Sequence, residues 1–474
     1  MKSTLLLAGL ALTITAGAQI HHYLKTECGT EFTLALRSDS TLWATGQNGN
    51  GQLGNTDYTD TSVFTAVVPA QKFIDVAAGG LHTIAIAADS TLWSWGLNGN
   101  GQLGQGTAGI SGAPAQSLPG THWRVVAAGM AHSLALKNDG TLWVAGYNYN
   151  GQLGTGDTTQ RLTWTQIGTD NNWKSITAGG VFSMALKNDG SLWAWGYNGD
   201  GELGMGNTSP LVSAPAQVGT ATDWRSVSGG FQFSVAIKTA GTLWSTGFNG
   251  NGNLGRATTG SNDSNFTQIG TATDWKSASA GASFSFAIKN DGTLWGWGYN
   301  GSGQLGTGST AATQPVVQIG TDNDWKYVSC ADGVSDGSSV YGLHSAGFHT
   351  AATTLCVAGA GYIGQLGDSI YWAPTSGQYT FNCDIAATTL AVEEIATAPF
   401  EPIVMPNPVY NTLAVSGITQ PCNYRLLDMT GRSLLSGVIA PGAQVDVSTL
   451  TTGNYLLQLL HGNGSHSVLR FVKQ

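Results

Sequence analysis

Apolar residues alternate with small or polar ones in short runs along this chain, and turn-forming residues close each run. In residues 173–204, Ser175-Ile176-Thr177 reads as one short strand, and Phe182, Met184 and Leu186 mark a second. Asn188-Asp189-Gly190 predicts a hairpin, because glycine accepts the positive φ the turn requires. Leu192, Trp193 and Trp195 continue into the returning strand. Gly196 and a glycine-rich heptad then predict an irregular loop at the opposite end. A variable stretch follows, with room for a fourth strand.

That heptad returns seven times. It reads NGNGQLG from Asn48 and again from Asn98, NYNGQLG from Asn148, NGDGELG from Asn198, NGNGNLG from Asn249, NGSGQLG from Asn300 and GYIGQLG from Gly361. Its closing glycines, from Gly54 to Gly367, are spaced 50, 50, 50, 51, 51 and 61 residues apart. A period near fifty is the mark of a repeat architecture, and four short strands per period is the unit of a β-propeller blade. The expected fold is all-β: a seven-bladed propeller over residues 19–385 and a small β-sandwich over 401–474, joined by a linker at 386–400. Residues recurring in every unit belong to the scaffold. Trp43, Trp93, Trp143, Trp193, Trp244 and Trp295 share one slot, and Trp123, Trp173, Trp224, Trp275 and Trp325 another, so both sets predict core between blades. His82 and His132 occupy a slot held elsewhere by Phe182, Phe233 and Phe284, which predicts packed histidines rather than ligands.

Composition sharpens the class. Only 10% of residues are charged, glycine numbers 67 and the formal net charge is −9. No run of Lys and Arg appears, so a nucleic-acid partner is not expected. Lys2, the apolar stretch Leu5–Ile14 and Ala16-Gly17-Ala18 read as a signal peptide over residues 1–18, and no apolar run is long enough for a membrane span. Export permits disulfides. One or two are expected among Cys28, Cys330, Cys356 and Cys383, all in the first and last repeats, where pairing would lock ring closure; connectivity stays open.

Ala78–Ile86, Ala128–Gly154 and Ala178–Gly196 resemble the regulator-of-chromosome-condensation repeat, whose family forms seven-bladed propellers. The tail is similar to the C-terminal sorting domain of Bacteroidetes proteins exported by type IX secretion. Three motifs carry that resemblance: Pro406-Asn407-Pro408, Asp428 to Arg432 with Gly431, and Leu450 to Tyr455 with Gly453. The resemblance implies type IX secretion machinery as a partner, and a secreted location or the outer-membrane surface of a Bacteroidetes-type bacterium.

Candidate chemistry is sparse. No metal or cofactor signature occurs, and Asn198-Gly199-Asp200-Gly201 lacks the carboxylates of a calcium loop. Gly333-Val334-Ser335-Asp336-Gly337 matches GxSxG, with His344 and His349 nearby, but no strand-to-helix turn surrounds it. Blade seven is the irregular unit: Cys330–Ser338 and Phe348–Thr353 lengthen its loops, and Cys356 stands where six blades carry tryptophan. This fits either an atypical closing repeat or a recognition loop held by a disulfide. Specificity should sit where blades differ, at Tyr149 in a heptad position mostly small, and at Tyr371 and Trp372 after the last heptad. The expected function is a non-enzymatic, secreted or surface binding module for protein–protein interaction or adhesion. A lectin-like glycan-binding propeller using Tyr149, Tyr371 or Trp372 is the alternative, and a hydrolase around Ser335 a third reading.

Overall fold

Each fifty-residue repeat folds into one antiparallel sheet. In the fourth, strands Trp173–Ala178, Phe182–Lys187, Leu192–Tyr197 and Leu211–Gln217 pair in chain order. The hairpin between the second and third turns at Gly190, where φ is 82° and the Asp189 carboxylate accepts from the Ser191 amide at 2.9 Å. Gly196, the last but one residue of the third strand, has φ 110°, and a Cβ there would lie 2.6 Å from Phe182 Cα. That position is glycine in all seven units, with φ between 97° and 111°. The backbone geometry admits little else.

The computed structural model describes residues 22–68, 71–258, 260–331, 333, 342–350, 354–368, 380–385, 403–405, 411–416, 421–428, 433–460 and 466–473. The chain forms two compact units, residues 1–389 and 390–474. Among the described residues, the first holds seven four-stranded sheets, the blades of a seven-bladed propeller. They begin at Tyr23, Phe73, Trp123, Trp173, Trp224, Trp275 and Trp325, and the last ends at Ile385. The expected signal peptide and linker lie outside the described residues.

Heptad loops hold neighbouring blades together. The first asparagine is buried and its Oδ1 accepts from the leucine amide five residues on, at 3.1 Å for Asn198 and Leu203. The carbonyl at the fifth heptad position then accepts from the next blade. Gln152 O receives Ser183 Oγ at 2.8 Å and Trp195 Nε1 at 2.9 Å. Thr83 binds Gln52 O, Ser133 binds Gln102 O, Ser234 binds Glu202 O and Ser345 binds Gln304 O in the same way, at 2.7–2.9 Å. Blade six differs: among the described residues Ser285 Oγ has no partner, and Trp297 Nε1 alone reaches Asn253 O, at 2.8 Å.

Among the described residues every blade is built from contiguous chain, and no strand crosses the seam between blades seven and one. Side chains, with an isolated backbone bridge between Val63 and Asp368, close the ring instead. Tyr23, Trp43 and Phe64 share a core with Ala346, Phe348 and Val357. Thr33 Oγ1 donates to Gln365 O at 2.7 Å and lies 3.0 Å from His344 Nε2. The disulfide found does not lock this seam. It joins Cys356 to Cys383, linking the third and fourth strands of blade seven. Cys28 and Cys330 stay buried thiols donating to Ser329 O and Ser279 O, and burial pushes the Cys28 thiol up to about 12.

The histidine slot has a distinct use. His82 Nε2 meets Ser133 Oγ at 2.9 Å and His132 Nε2 meets Ser183 Oγ at 3.0 Å, each across a blade boundary. Burial lowers His82 to about 3, and His132 and His344 to about 4, so all three are neutral near pH 7. The first-strand tryptophans are buried, whereas their third-strand partners are half-buried and meet them edge-on, at 6.1 Å for Trp123 and Trp143. A lysine closes each pair: Lys137 Nζ lies 3.7 Å from the Trp143 ring centre and 5.2 Å from that of Trp123. Lys187, Lys238 and Lys289 repeat the arrangement.

Glu202 is the scaffold's exception. It sits fully buried in a slot that Gln52, Gln102, Gln152, Gln304 and Gln365 fill elsewhere. Oε2 accepts from the Asp200 amide at 2.9 Å, while Oε1 is without a partner among the described residues. Burial, with the neighbouring Asp200 charge, raises its pKa to about 8.

In the second unit, Ile403–Met405, Thr412–Ser416 and Gln444–Asp446 form one sheet. Cys422–Asp428, Ser433–Ile439, Gly453–Leu460 and His466–Lys473 form the other. Leu413, Val415 and Val445 of the first share a core with Leu426, Leu457 and Leu459 of the second. Asp428 ends one strand and Gly453 opens another; buried Tyr455 donates to Thr451 O at 2.8 Å. Pro406, Asn407, Pro408 and Gly431 lie outside the described residues.

Thr33→Val removes the Thr33 Oγ1 contacts to Gln365 O and His344 Nε2 while keeping side-chain shape. It should cost about 1–3 kcal/mol, read as a lower melting temperature of the ring. The Glu202 carboxyl titrates near 8 folded and near 4.5 unfolded. The folded state holds the extra proton, so this residue lowers stability progressively as pH rises from 4.5 to 8. Glu202→Gln should therefore gain over the parent with rising pH, in melting curves from pH 5 to 9. The histidines act with opposite sign. Their folded values lie below 6.5, so stability falls as pH drops from 6.5 toward 4, and His132→Phe should flatten that limb.

Candidate functional site: two ring faces and a lined channel

The first strands of the seven blades surround a central channel of about 250 Å³. Small residues such as Ala78, Ala128, Ala178 and Gly229 line most of it, since seven strands converge there. One sector is charged. The third residue of the first strand is Tyr327, Lys25 and Asp75 in blades seven, one and two, but valine or serine in the other four. Lys25 Nζ donates to Asp75 Oδ1 at 2.8 Å and Val76 O at 2.6 Å, and lies 3.1 Å from Glu27 Oε1. Tyr327 OH donates to the same Glu27 oxygen at 3.0 Å. Partial burial works to lower the Lys25 pKa, but Asp75 and Glu27 more than reverse it and hold it well above its usual value. Burial, and then Glu27, push Tyr327 up. The group is a closed ion-pair network bridging the seam.

The heptads and the turns after each first strand share one ring face. Backbone amides of those turns step from blade to blade: Gly80 N to Gly129 O, Gly180 N to Gly230 O, Phe231 N to Gly281 O. Above them stand aromatic residues from the third-strand ends, Tyr147, Tyr197, Phe248 and Tyr299, in four successive blades. Tyr197, Phe248 and Tyr299 lie over the second heptad residue, which is glycine; a Cβ at Gly199 would lie 2.2 Å from Tyr197 OH. Blade three breaks this rule. Tyr149 replaces that glycine, stands 64% exposed, and pairs with Tyr147 at 4.9 Å between ring centres. Tyr362 holds the same heptad position in blade seven and is 55% exposed. Exposed Tyr58, Ile110 and Leu211, at or near the starts of fourth strands, extend the apolar surface.

The opposite face gathers cations. Arg124, Lys174, Arg225, Lys276 and Lys326 are the second residues of the first strands in blades three to seven. Arg124 donates to Trp173 O and, at 3.2 Å, to Lys174 O; Arg225 reaches Lys276 O at 2.9 Å. No run of basic residues exists in the sequence, yet the ring sets five side by side.

Of the residues singled out from sequence, Tyr149 is an exposed member of the heptad face. Tyr371, Trp372 and Ser335 lie outside the described residues. His344, beside the GxSxG match, is sealed in the seam against Thr33. Asp200 is occupied by amide donors, Asn262 Nδ2 at 2.8 Å and Gln232 Nε2 at 3.1 Å. Sequence reasoning missed Tyr362, the charged channel sector and the basic arc. The first two were visible as departures at fixed repeat positions, and the third as Arg or Lys recurring at one such position.

Residues 12–336 match the RCC1-like domain family, and residues 403–474 match the secretion system C-terminal sorting domain. No curated protein sequence matches the chain. Among solved structures, yeast RCC1 (Prp20), crystallised bound to Kap60, is similar at 22% identity with a TM-score of 0.59, over 65% of this chain and 78% of that one. Human WBSCR16 is similar at 21% identity with a TM-score of 0.62, over 77% of this chain and 96% of that one. At such identities the likeness is one of fold. Among the described residues, no helix is long and apolar enough to cross a membrane. The repeat spacing, the seven sheets and the match over most of the ring agree: this chain belongs to the RCC1-like domain family and carries a type IX secretion C-terminal sorting domain.

Proposed function

We propose that this protein is a binding module whose heptad face holds an extracellular protein partner, in interaction or adhesion, without catalysis of its own. The sorting domain indicates export to the cell surface or the medium of a Bacteroidetes-type bacterium. In this reading residues 1–18 direct the chain to the periplasm, residues 19–385 form the exported ring, and the tail engages the secretion machinery. The observation that carries the binding role is Tyr149. A tyrosine 64% exposed, on a rigid loop where the repeat otherwise favours glycine, suits an anchor for a partner. Tyr362, Ile110 and Leu211 spread the apolar surface over several blades, which favours a broad protein surface over a sugar-sized hollow. The Tyr147–Tyr149 pair is the feature that would serve the lectin-like alternative.

Capture of surface proteins by the full chain, beside a glycan array, tests this. Tyr149→Ala with Tyr362→Ala should weaken protein capture by about tenfold or more while leaving the melting temperature unchanged. Lys174→Glu with Lys276→Glu should leave it intact. Saturable sugar binding lost in Tyr149→Ala would establish the lectin reading instead. Loss only in the charge-reversed chain would move the site to the basic face.

A further inference from the structure

In blades five and six, the aspartate immediately before the first-strand tryptophan pairs with the lysine that closes the tryptophan pair, at 3.0 Å for Asp223 and Lys238 and 3.3 Å for Asp274 and Lys289. Blade seven keeps the aspartate and the tryptophan, as Asp324 and Trp325, and changes the rest. His349 stands in the lysine slot and Cys356 in the slot of the third-strand tryptophan; Cys383 faces them from the fourth strand. Two soft sulfur donors and an imidazole thus replace a cation and an indole.

The fold brings these three side chains together. One ligand atom from each of His349, Cys356 and Cys383 lies within 4.8 Å of the other two. His349 Nδ1 is 2.6 Å from Asp324 Oδ1. An ionised carboxylate only accepts, so Nδ1 carries the proton and Nε2 presents its lone pair. Nε2 lies 3.9 Å from Cys383 Sγ. The ring rests on Trp325 with centres 4.3 Å apart, which fixes its plane. A histidine whose second nitrogen donates to a carboxylate is the usual outer support of a zinc ligand. Cys383 and His349 are partly exposed and Cys356 is buried, so an ion would enter from the Cys383 side.

We propose that blade seven holds a redox-gated zinc site, with His349 Nε2, Cys356 Sγ and Cys383 Sγ as ligands, Asp324 orienting the imidazole, and water in the fourth position. In the disulfide form both sulfurs are bonded to each other and neither is a thiolate. A dithiol reductant passes two electrons and two protons to the bridge, becoming a cyclic disulfide and leaving two cysteine thiols. Zn²⁺ then displaces two protons and binds both thiolates with the neutral imidazole. This site is separate from the heptad face and does not depend on the proposed partner.

The test titrates Zn²⁺, against a chromophoric chelator, into the full chain before and after anaerobic reduction by dithiothreitol and its removal. One zinc per chain should bind the reduced form about 100-fold more tightly than the oxidised form. Co²⁺ in its place should give thiolate charge-transfer and tetrahedral visible bands. Asp324→Asn should weaken binding about 10–100-fold. His349→Lys restores the residue of the sibling blades, so it should fold as the parent does and lose the site. Replacing Cys28, Cys330 and Cys422 together by serine should leave zinc binding intact. Equal affinity of oxidised and reduced chains, undiminished binding in His349→Lys, or loss of binding in a folded triple-serine chain would each overturn the assignment.

Discussion

The ring rests on one repeated contact: a buried carbonyl at the fifth heptad position accepts a hydroxyl from the next blade's second strand. A buried carbonyl without a donor is costly, so each heptad is stable only with its neighbour in place. The asparagine inside the loop aims that carbonyl, and the glycines let the loop fold tightly enough to reach. Because Gln365 meets Thr33 as Gln152 meets Ser183, the seam is made by the same bond as the interior boundaries. No shared strand is then required for closure. The histidines add a second link at three boundaries, neutral because burial there disfavours the charged ring.

Uniformity of the scaffold makes each departure informative. Glu202 in a glutamine slot leaves a buried carboxyl oxygen without a partner among the described residues, a local liability with a pH signature. Tyr149 and Tyr362 place rings where siblings keep glycine, converting a covered loop into exposed apolar surface. Lys25, Glu27 and Asp75 concentrate charge in the channel in blades one and two, and Tyr327 of blade seven joins them across the seam. His349, Cys356 and Cys383 rewrite a cation–tryptophan clamp in blade seven. These features fall on different surfaces, so the ring has room for a partner on one face and separate chemistry at the closing blade.

Much of this was legible beforehand. The period near fifty residues, the Asn-Asp-Gly hairpins and the alternating runs specify the blade, its strand order and the number of blades, because local turn chemistry and pleat alternation act within a few residues. The histidines were legible as packed by comparison with their phenylalanine siblings. The tail motifs pointed to the type IX secretion sorting domain that residues 403–474 match. Sequence could not reveal which cysteines pair. Cys356 and Cys383 meet because two strands of one blade bring them together, while Cys28 and Cys330 face carbonyls in adjoining blades.

The sequence by itself therefore determined the repeat, the all-β class and the two-unit plan, since each is encoded in short, local patterns. Tertiary structure decided what residues fifty or three hundred positions apart do together. It set five cations in one arc and joined Lys25 to Asp75 and Glu27 to Tyr327. It also turned an expected seam disulfide into a bridge within blade seven. The physical reason is ring closure. Repeat position specifies where a side chain stands in its blade, but only packing of blade on blade specifies which side chain it meets.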